Sequence, residues 1–354
     1  YDMTSSLVGS EMCIRDSKDI ARIAGVSYAT ISRALSGSRE VSEQTRARIL
    51  EICKQEGYRT NALARSLSCN KTNVIGLVVP DITNPFYAEL ALEIETSARR
   101  LHYNVMLCNS VHYEDNIGEL MDFLISHQVD GIILASSHNE ARACLHEYRQ
   151  VIPSVLVGAS VSDNDDFCVN AVSVDNRAGG RMAAEYLIGL GHQDIVYLGF
   201  RPASITHQLR FSGFQRAMQQ RSLTPTVLEN HESSSSLQIG YQLGKQLFAQ
   251  GTSSTAIFAA TDSLALGVIQ AADEFNLRIP EDISLLGFDN ISYAALPKIT
   301  LTTIDQRKPV LAETAVKHLV SVIEHPDDDG YAHHMIRPAL VERRSCCAPG
   351  RQPD

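Results

Sequence analysis

Long apolar runs are missing from this chain of 354 residues: no stretch of about 18 consecutive hydrophobic residues occurs, which leaves no candidate membrane helix and no membrane partner. Its eight cysteines include no C-x-x-C pair, and most lie inside apolar runs, as buried reduced thiols of a cytosolic protein do. No G-x-G-x-x-G follows the first strand-like run, and G-x-x-x-x-G-K-[ST], G-x-S-x-G and H-E-x-x-H do not occur. The signatures of dinucleotide enzymes, phosphate-loop enzymes, serine hydrolases and zinc peptidases are therefore absent. No catalytic residue, metal set or cofactor is expected. The tandem His333–His334 stands at no useful metal spacing and reads as surface.

What is present is uneven charge. The net charge is −10, which argues against a simple nucleic-acid binder. Yet residues 1–72 hold 11 Lys/Arg against 8 Asp/Glu, while residues 73–354 hold 20 against 33. A basic head on an acidic body fits this pattern. The first 16 residues, YDMTSSLVGSEMCIRD, lack an apolar core of signal-peptide length. SLVGSEMCIRDS is similar to translated sequencing-adapter sequence, so residues 1–16 are expected to be a non-native leader and are set aside.

Residues 17–60 carry helical periodicity broken by short turns. KDIARIAG ends at Gly25, SYATISRALSG is capped by Ser27 and stopped by Gly37, and SEQTRARILEICKQEGY starts at Ser42 with Ile49, Leu50 and Cys53 inward. A helix, a tight glycine turn and a second helix spell a helix-turn-helix. The second helix opens with small hydroxyls and free N–H groups suited to phosphate oxygens. Tyr28 and Ala29 would face base edges, and Arg33 could reach guanine O6 and N7. An ordinary three-helix packing unit would show much the same spacing. Residues 61–72 follow as a polar linker with too few apolar side chains for a core.

From residue 73 the period changes. VIGLVVPD, NVMLCNS, DGIILAS, PSVLVG, NAVSVD, DIVYLGF, TAIFAAT and ISLLGFDN are short apolar runs, nearly all separated by helix-length segments. That alternation predicts doubly wound parallel α/β sheets, in two lobes because the runs are too many for one sheet. Ligands of such sheets sit beyond the carboxyl ends of strands, which singles out Asp81, Asn109, Asp175, Arg201, Asp262 and Asp289.

KDIARIAGVSYATISRALSGSREVSEQTRARILEICKQEGYRTNALARSL resembles the DNA-binding headpiece of the LacI/GalR family of bacterial repressors, and the likeness continues through IGLVVPDITNPFYAEL, TDSLALGVIQAADEFNLRIPEDISLLGFDN and ALVERRS. It spans residues 17–345. The resemblance implies an all-α helix-turn-helix headpiece followed by a two-lobed core like that of periplasmic sugar-binding proteins. It implies a cytoplasmic homodimer that binds double-stranded operator DNA as a repressor under the control of a small-molecule effector. Tyr28 and Ala29 then set operator choice, and Ser27, Thr30, Ser32 and Ser42 match phosphate-contacting positions. NALARSL matches the hinge helix, with Asn61 at its start, Leu67 as the minor-groove wedge and Ala64 beside it; Thr60 stands where a proline is usual.

The same resemblance places lobe 1 at about 73–173 and 302–331 and lobe 2 at about 174–301 and 332–345; the polar remainder, 346–354, is expected to be a disordered tail. Its pocket positions are Phe86, Tyr87, Ser204, Thr206, Arg210, Thr261, Asp262, Asp289 and Gln306. Arg210 as donor and Asp289 as acceptor can hold a polyol, and the aromatic rings can stack on a sugar face. Asp262 reads as a helix cap rather than a ligand contact, and Phe86 and Tyr87 equally as lobe packing. The chain departs from purine-binding members at Ser204 and Ser235 and from galactoside-binding members at Gly158, so a sugar or sugar derivative is the expected effector class without a named member. Two rivals remain: a small-molecule binder of periplasmic type, which the body alone permits, and an enzyme on the α/β body, which no nucleophile–base pair supports.

Overall fold

The computed structural model describes residues 17–35, 40–56, 71–110, 117–136, 139–158, 169–231, 236–326 and 330–350. They fall into two compact units divided after Thr72. The leader at residues 1–16, the hinge positions Asn61, Ala64 and Leu67, and Ser235 lie outside the described residues.

Among its described residues the first unit has three helices, α1 (Ser17–Ala24), α2 (Tyr28–Leu35) and α3 (Glu43–Gln55). Gly25 takes φ +67°, which lets the Val26 N–H turn back to the Ala21 carbonyl at 3.1 Å and ends α1. Ser27 Oγ accepts from Thr30 N–H at 3.1 Å, and Ser42 Oγ from Thr45 N–H at 3.2 Å, so hydroxyls cap α2 and α3. Ile20, Ala24, Ile31, Ala34, Val41, Ile49 and Cys53 form one core with Val26 against it. Leu50, expected inward, is 49% exposed. The buried pair Ile49 and Cys53 is spaced four apart, and a residue next to Ile49 points about 100° away around a 3.6-residue turn.

The second unit is doubly wound. Its first half runs β1 (Val74–Val79), α4 (Pro85–Arg100), β2 (Asn104–Asn109), α5 (Ile117–Ser126), β3 (Gly131–Ser136), α6 (Asn139–Tyr148), β4 (Ser154–Gly158) and β5 (Asn170–Val174). The chain continues through α7 (Asn176–Gly189), β6 (Ile195–Phe200), α8 (Ile205–Gln219), β7 (Thr226–Glu229), α9 (Leu237–Ala249), β8 (Ala256–Ala259), α10 (Asp262–Glu274) and β9 (Ser284–Asp289). It closes with β10 (Thr302–Asp305), α11 (Lys308–Glu324), β11 (His333–Ile336) and β12 (Ala339–Val341).

Two six-stranded sheets result, ordered β11-β5-β4-β3-β1-β2 and β12-β10-β9-β8-β6-β7. All neighbours are parallel except β10 with β12. The eight apolar runs are strands β1 to β6, β8 and β9, and β3 and β9 are buried throughout because helices cover both faces. The chain crosses between the lobes three times, at 174–176, 305–308 and 336–339. Two expected lobe limits therefore move. Strand β10 belongs to lobe 2, pairing Thr302 with Leu286 of β9, and β11 belongs to lobe 1, pairing His334 with Val172 of β5.

Of the tail expected to be disordered, residues 346–350 are ordered, and residues 351–354 lie outside the described residues. Ser284 Oγ accepts from Cys347 N–H at 3.0 Å, and the buried His192 ring bonds the Cys347 carbonyl at 2.9 Å and Thr255 Oγ1 at 2.8 Å. His333 and His334 are exposed on β11, and the His334 ring packs edge-on to His318 with centroids 5.0 Å apart.

One contact positions the site directly. An added Cβ on Gly180 of α7 would stand 1.8 Å from the Arg210 carbonyl, and one on Gly213 of α8 would stand 2.0 Å from the Arg177 carbonyl. Helices α7 and α8 touch backbone to backbone, which brings Arg210 to the start of α7.

Candidate functional site

Between the two lobes of the second unit lies a cleft of about 1020 Å³. Among the expected effector residues, Phe86, Tyr87, Thr206, Arg210, Thr261, Asp289 and Gln306 line it. Asp81 and Arg201, singled out by their place after strands, line it too.

Arg210 is the buried centre. Its Nε and Nη2 donate to Asn176 Oδ1 at 3.3 and 2.9 Å, Nη1 donates to the Ala260 carbonyl, and Cζ lies 3.3 Å from the centre of the Phe288 ring. Burial pulls its pKa down while the nearby Asp289 carboxylate opposes that shift. Guanidinium and carboxylate face the same cleft but share no ion pair among the described residues. Each keeps hydrogen-bonding capacity toward a guest.

Asp289 ends β9. One oxygen accepts from Gln306 Nε2 at 2.5 Å. Burial pushes its carboxyl above the usual carboxylate range, with Arg210, Gln306 and Lys308 pulling the other way. On the facing wall, Phe86 and Tyr87 meet edge to face with centroids 5.2 Å apart. Phe86 packs against the cores of both lobes, so its packing role is real as well. Burial, with the Asp289 charge beside it, pushes the Tyr87 phenol up to about 12, so it stays a neutral donor. The arrangement offers an acceptor, a fork of donors, a phenol and an aromatic face: the groups that hold a hydroxylated ring.

Two expected residues stand elsewhere. Ser204 caps α8, accepting from His207 N–H at 3.4 Å, with the Thr206 hydroxyl 3.0 Å away; it is fully buried and off the cleft lining. Asp262 is fully buried: it accepts from the Thr303 hydroxyl at 2.6 Å and from Ile291 N–H at 2.9 Å, tying α10 to β10 and to the turn after β9. Thr261, not Asp262, caps α10.

Asn109 and Asp175 also serve the backbone, Asn109 accepting from Ile82 N–H at 3.4 Å and Asp175 from Ala178 N–H at 2.8 Å. Asn176, which orients Arg210, was not foreseen; it lies one residue beyond Asp175, within the same strand-end rule. The wall from α5 and α6, with Glu119, Asp122, Glu147 and Tyr148, was missed as well. It belongs to helices, which that rule does not reach.

In the first unit, α2 presents its start outward. Tyr28 is 52% exposed and Ala29 is exposed. The Ser27 and Thr30 hydroxyls lie 2.9 Å apart, as do those of Ser42 and Thr45 at 2.8 Å. Ser32 is half-buried, and Arg33 is exposed with Nε 3.1 Å from Glu40 Oε2. This face offers hydroxyls, backbone N–H groups and the Arg33 guanidinium.

Residues 18–61 match the family of bacterial regulatory proteins described as lacI family, and residues 184–346 match a periplasmic binding protein-like domain. The chain is 32% identical to the ribose operon repressor of Escherichia coli (strain K12) over 93% of this chain and 98% of that protein. It is 35% identical to the HTH-type transcriptional repressor PurR of Pectobacterium carotovorum, over 93% of this chain and 96% of that one. Among solved structures, a lac repressor dimer bound to operator and an anti-inducer aligns with a TM-score of 0.83 at 25% identity, covering 94% of this chain and 99% of that one. A LacI family regulator from Enterococcus faecium with bound ribose aligns with a TM-score of 0.68 at 30% identity, covering 78% and 99%.

Proposed function

The chain belongs to the lacI family of bacterial regulatory proteins, and we propose that it is a transcriptional repressor whose hold on operator DNA is set by a sugar bound in the cleft. The observation that carries this is the union, in one chain, of an outward reading helix and a cleft built on Arg210 and Asp289. Two headpieces of a homodimer meet a pseudo-palindromic operator, because two-fold protein symmetry matches two-fold DNA symmetry. Tyr28 and Ala29 meet base edges, Arg33 reaches a guanine, and Ser27, Thr30, Ser32 and Ser42 meet phosphates. Asn61, Ala64 and Leu67 form the hinge, with Leu67 as the wedge. This work is done in the bacterial cytoplasm, where the DNA is. It is binding and release, and it needs no catalysis.

In the cleft the effector's hydroxyls donate to Asp289 and accept from Arg210 and Gln306, while Tyr87 and Phe86 cover its ring. Arg210 and Asp289 come from lobe 2 and the two aromatics from lobe 1. A guest touching both favours one lobe arrangement. That preference, on the order of 1–3 kcal/mol, is what the operator senses. The likeness to a ribose operon repressor and to a ribose-bound regulator makes D-ribose the first sugar to try.

The test is a thermal-shift screen of sugars, sugar phosphates, nucleosides and purines, followed by operator binding measured by fluorescence anisotropy with and without the best ligand. A stabilising sugar that also changes operator affinity supports the reading. A purine as the best ligand overturns the effector class and leaves the DNA-binding role standing.

A further inference from the structure

Lys308 opens α11, just where the chain has crossed from lobe 2 into lobe 1. Its side chain is only 8% exposed, and its ammonium has a full set of partners. It donates to the carbonyls of Asp289 and Asn290 at 2.7 and 2.8 Å, and it stands 3.3 Å from Glu89 Oε2. Three N–H donors meet three acceptors. The other Glu89 oxygen accepts from Ser292 N–H at 2.8 Å. Helices α4 and α11 of lobe 1 thus grip both ends of the turn at 289–292, which belongs to lobe 2.

That turn is where the backbone leaves its ordinary range. Asp289 has φ 126° and Asn290 φ 50°, two successive non-glycine residues with positive φ. Such conformations persist where the surroundings over-determine them, and they gather at ligand sites. Here the carbonyls of both unusual residues are the ones that accept the ammonium. On the other side Arg343 Nη2 donates to Asn290 Oδ1 at 2.7 Å, and Thr303 Oγ1 lies 3.4 Å from Asn290 N. The corner in turn sets the direction of the Asp289 carboxylate, which lines the cleft.

We propose that Lys308, braced by Glu89, is a positioning residue of the effector site: it fixes the Asp289–Asn290 corner, so aims the Asp289 carboxylate into the cleft, and it fastens that corner to lobe 1. The proposal rests on the reading of the cleft as the effector site. Lys308 is not among the residues lining the cleft, so it acts through Asp289. Because the corner is tied across the lobes, a guest that engages Asp289 also engages the lobe arrangement.

The experiment uses the full chain and the variants Lys308→Met, Lys308→Arg and Glu89→Gln. Its first arm needs no effector: backbone amide exchange across residues 289–292, read by mass spectrometry. Lys308→Met should speed that exchange about tenfold, locally, because the opening free energy of the turn falls. Lys308→Arg should restore part of the protection, and Glu89→Gln should show a smaller change, since its amide oxygen still accepts from Ser292. The second arm is D-ribose affinity by calorimetry, expected to fall about tenfold or more in Lys308→Met. Exchange that is unchanged, or raised evenly over the whole body, overturns the positioning role, and so does an unaltered affinity beside a loosened turn. If the parent itself does not bind D-ribose, the sugar reading has failed there. The affinity arm then uses the best ligand of the thermal-shift screen, and the exchange arm still decides the clamp.

Discussion

Arg210 lies over Phe288, its Cζ 3.3 Å from the ring centre, while its Nε and Nη2 share one oxygen of Asn176. The ring, the amide and the Ala260 carbonyl together leave the guanidinium a single orientation. Lysine keeps the charge but cannot serve these partners at once. Arg210→Lys should weaken effector binding about 10- to 100-fold, or about 1.4–2.8 kcal/mol, and leave operator binding without effector unchanged. Calorimetry and anisotropy on one preparation check both halves.

The buried carboxylates make stability and binding depend on pH in opposite senses. Burial raises both Asp262 and Asp289 above the unfolded value of about 3.9. Between that value and their folded pKa values, the native state therefore holds more protons than the unfolded one. Their contribution to stability is fully present below the unfolded pKa and is lost as pH rises through the folded pKa values. The body should accordingly lose part of its stability between about pH 4 and pH 7. Asp262→Asn should flatten that part of a Tm–pH curve. Effector affinity should run the other way, falling on acidification as Asp289 takes up a proton and ceases to accept. An Asp262→Asn variant with the parent's full pH slope counts against this account.

Gly180 tests the helix contact behind the site. A methyl group there meets the Arg210 carbonyl at 1.8 Å, and that neighbour is backbone, so α7 and α8 must part. Gly180→Ala should cost about 1–3 kcal/mol in denaturant unfolding and should weaken effector binding without touching a cleft side chain. Unaltered effector affinity would show that Arg210 is held by its side-chain partners alone.

In the headpiece, Arg33 and Glu40 compete with DNA for each other. Both are largely exposed, so the pair contributes little to stability. Glu40→Ala should leave the headpiece folded and raise operator affinity slightly. Arg33→Ala should cost about 1–3 kcal/mol of operator binding and relax preference at one base pair. An equal loss on every sequence would make Arg33 a phosphate contact instead.

Strands legible beforehand were those with unbroken Val, Ile and Leu, because burial on both faces leaves no polar alternation to confuse. Strands β7, β10, β11 and β12 are only three or four residues long, and TTID or HHMI carries little apolar signal. Long-range pairing decides them, as the moved lobe limits show. In the cleft, Asp289 and Arg201 followed from their place after strands, and Arg210 from the family likeness. Asn176 in its role toward Arg210, and the Glu89–Lys308 grip on Asp289, depend on which helix lies against which lobe. No local spacing encodes that. Asp262 drew notice by its place after a strand and by the family likeness, yet its carboxylate accepts from Thr303 and Ile291.

The three crossings between the lobes bear on how the protein is made. The sheet of lobe 1 acquires its edge strand only at His333–Ile336, and that of lobe 2 at Ala339–Val341. On the ribosome, lobe 1 therefore waits, short of α11 and its sixth strand, while the whole central stretch of lobe 2 is still being synthesised. A nascent chain stalled near residue 300 would expose the apolar face that α11 covers, including the surroundings of Leu90 and Ile94. Chaperones would meet this protein there, late in translation, and cutting the gene at the first crossing would part lobe 1 from α11 and β11 while leaving all six strands of lobe 2 on the second fragment.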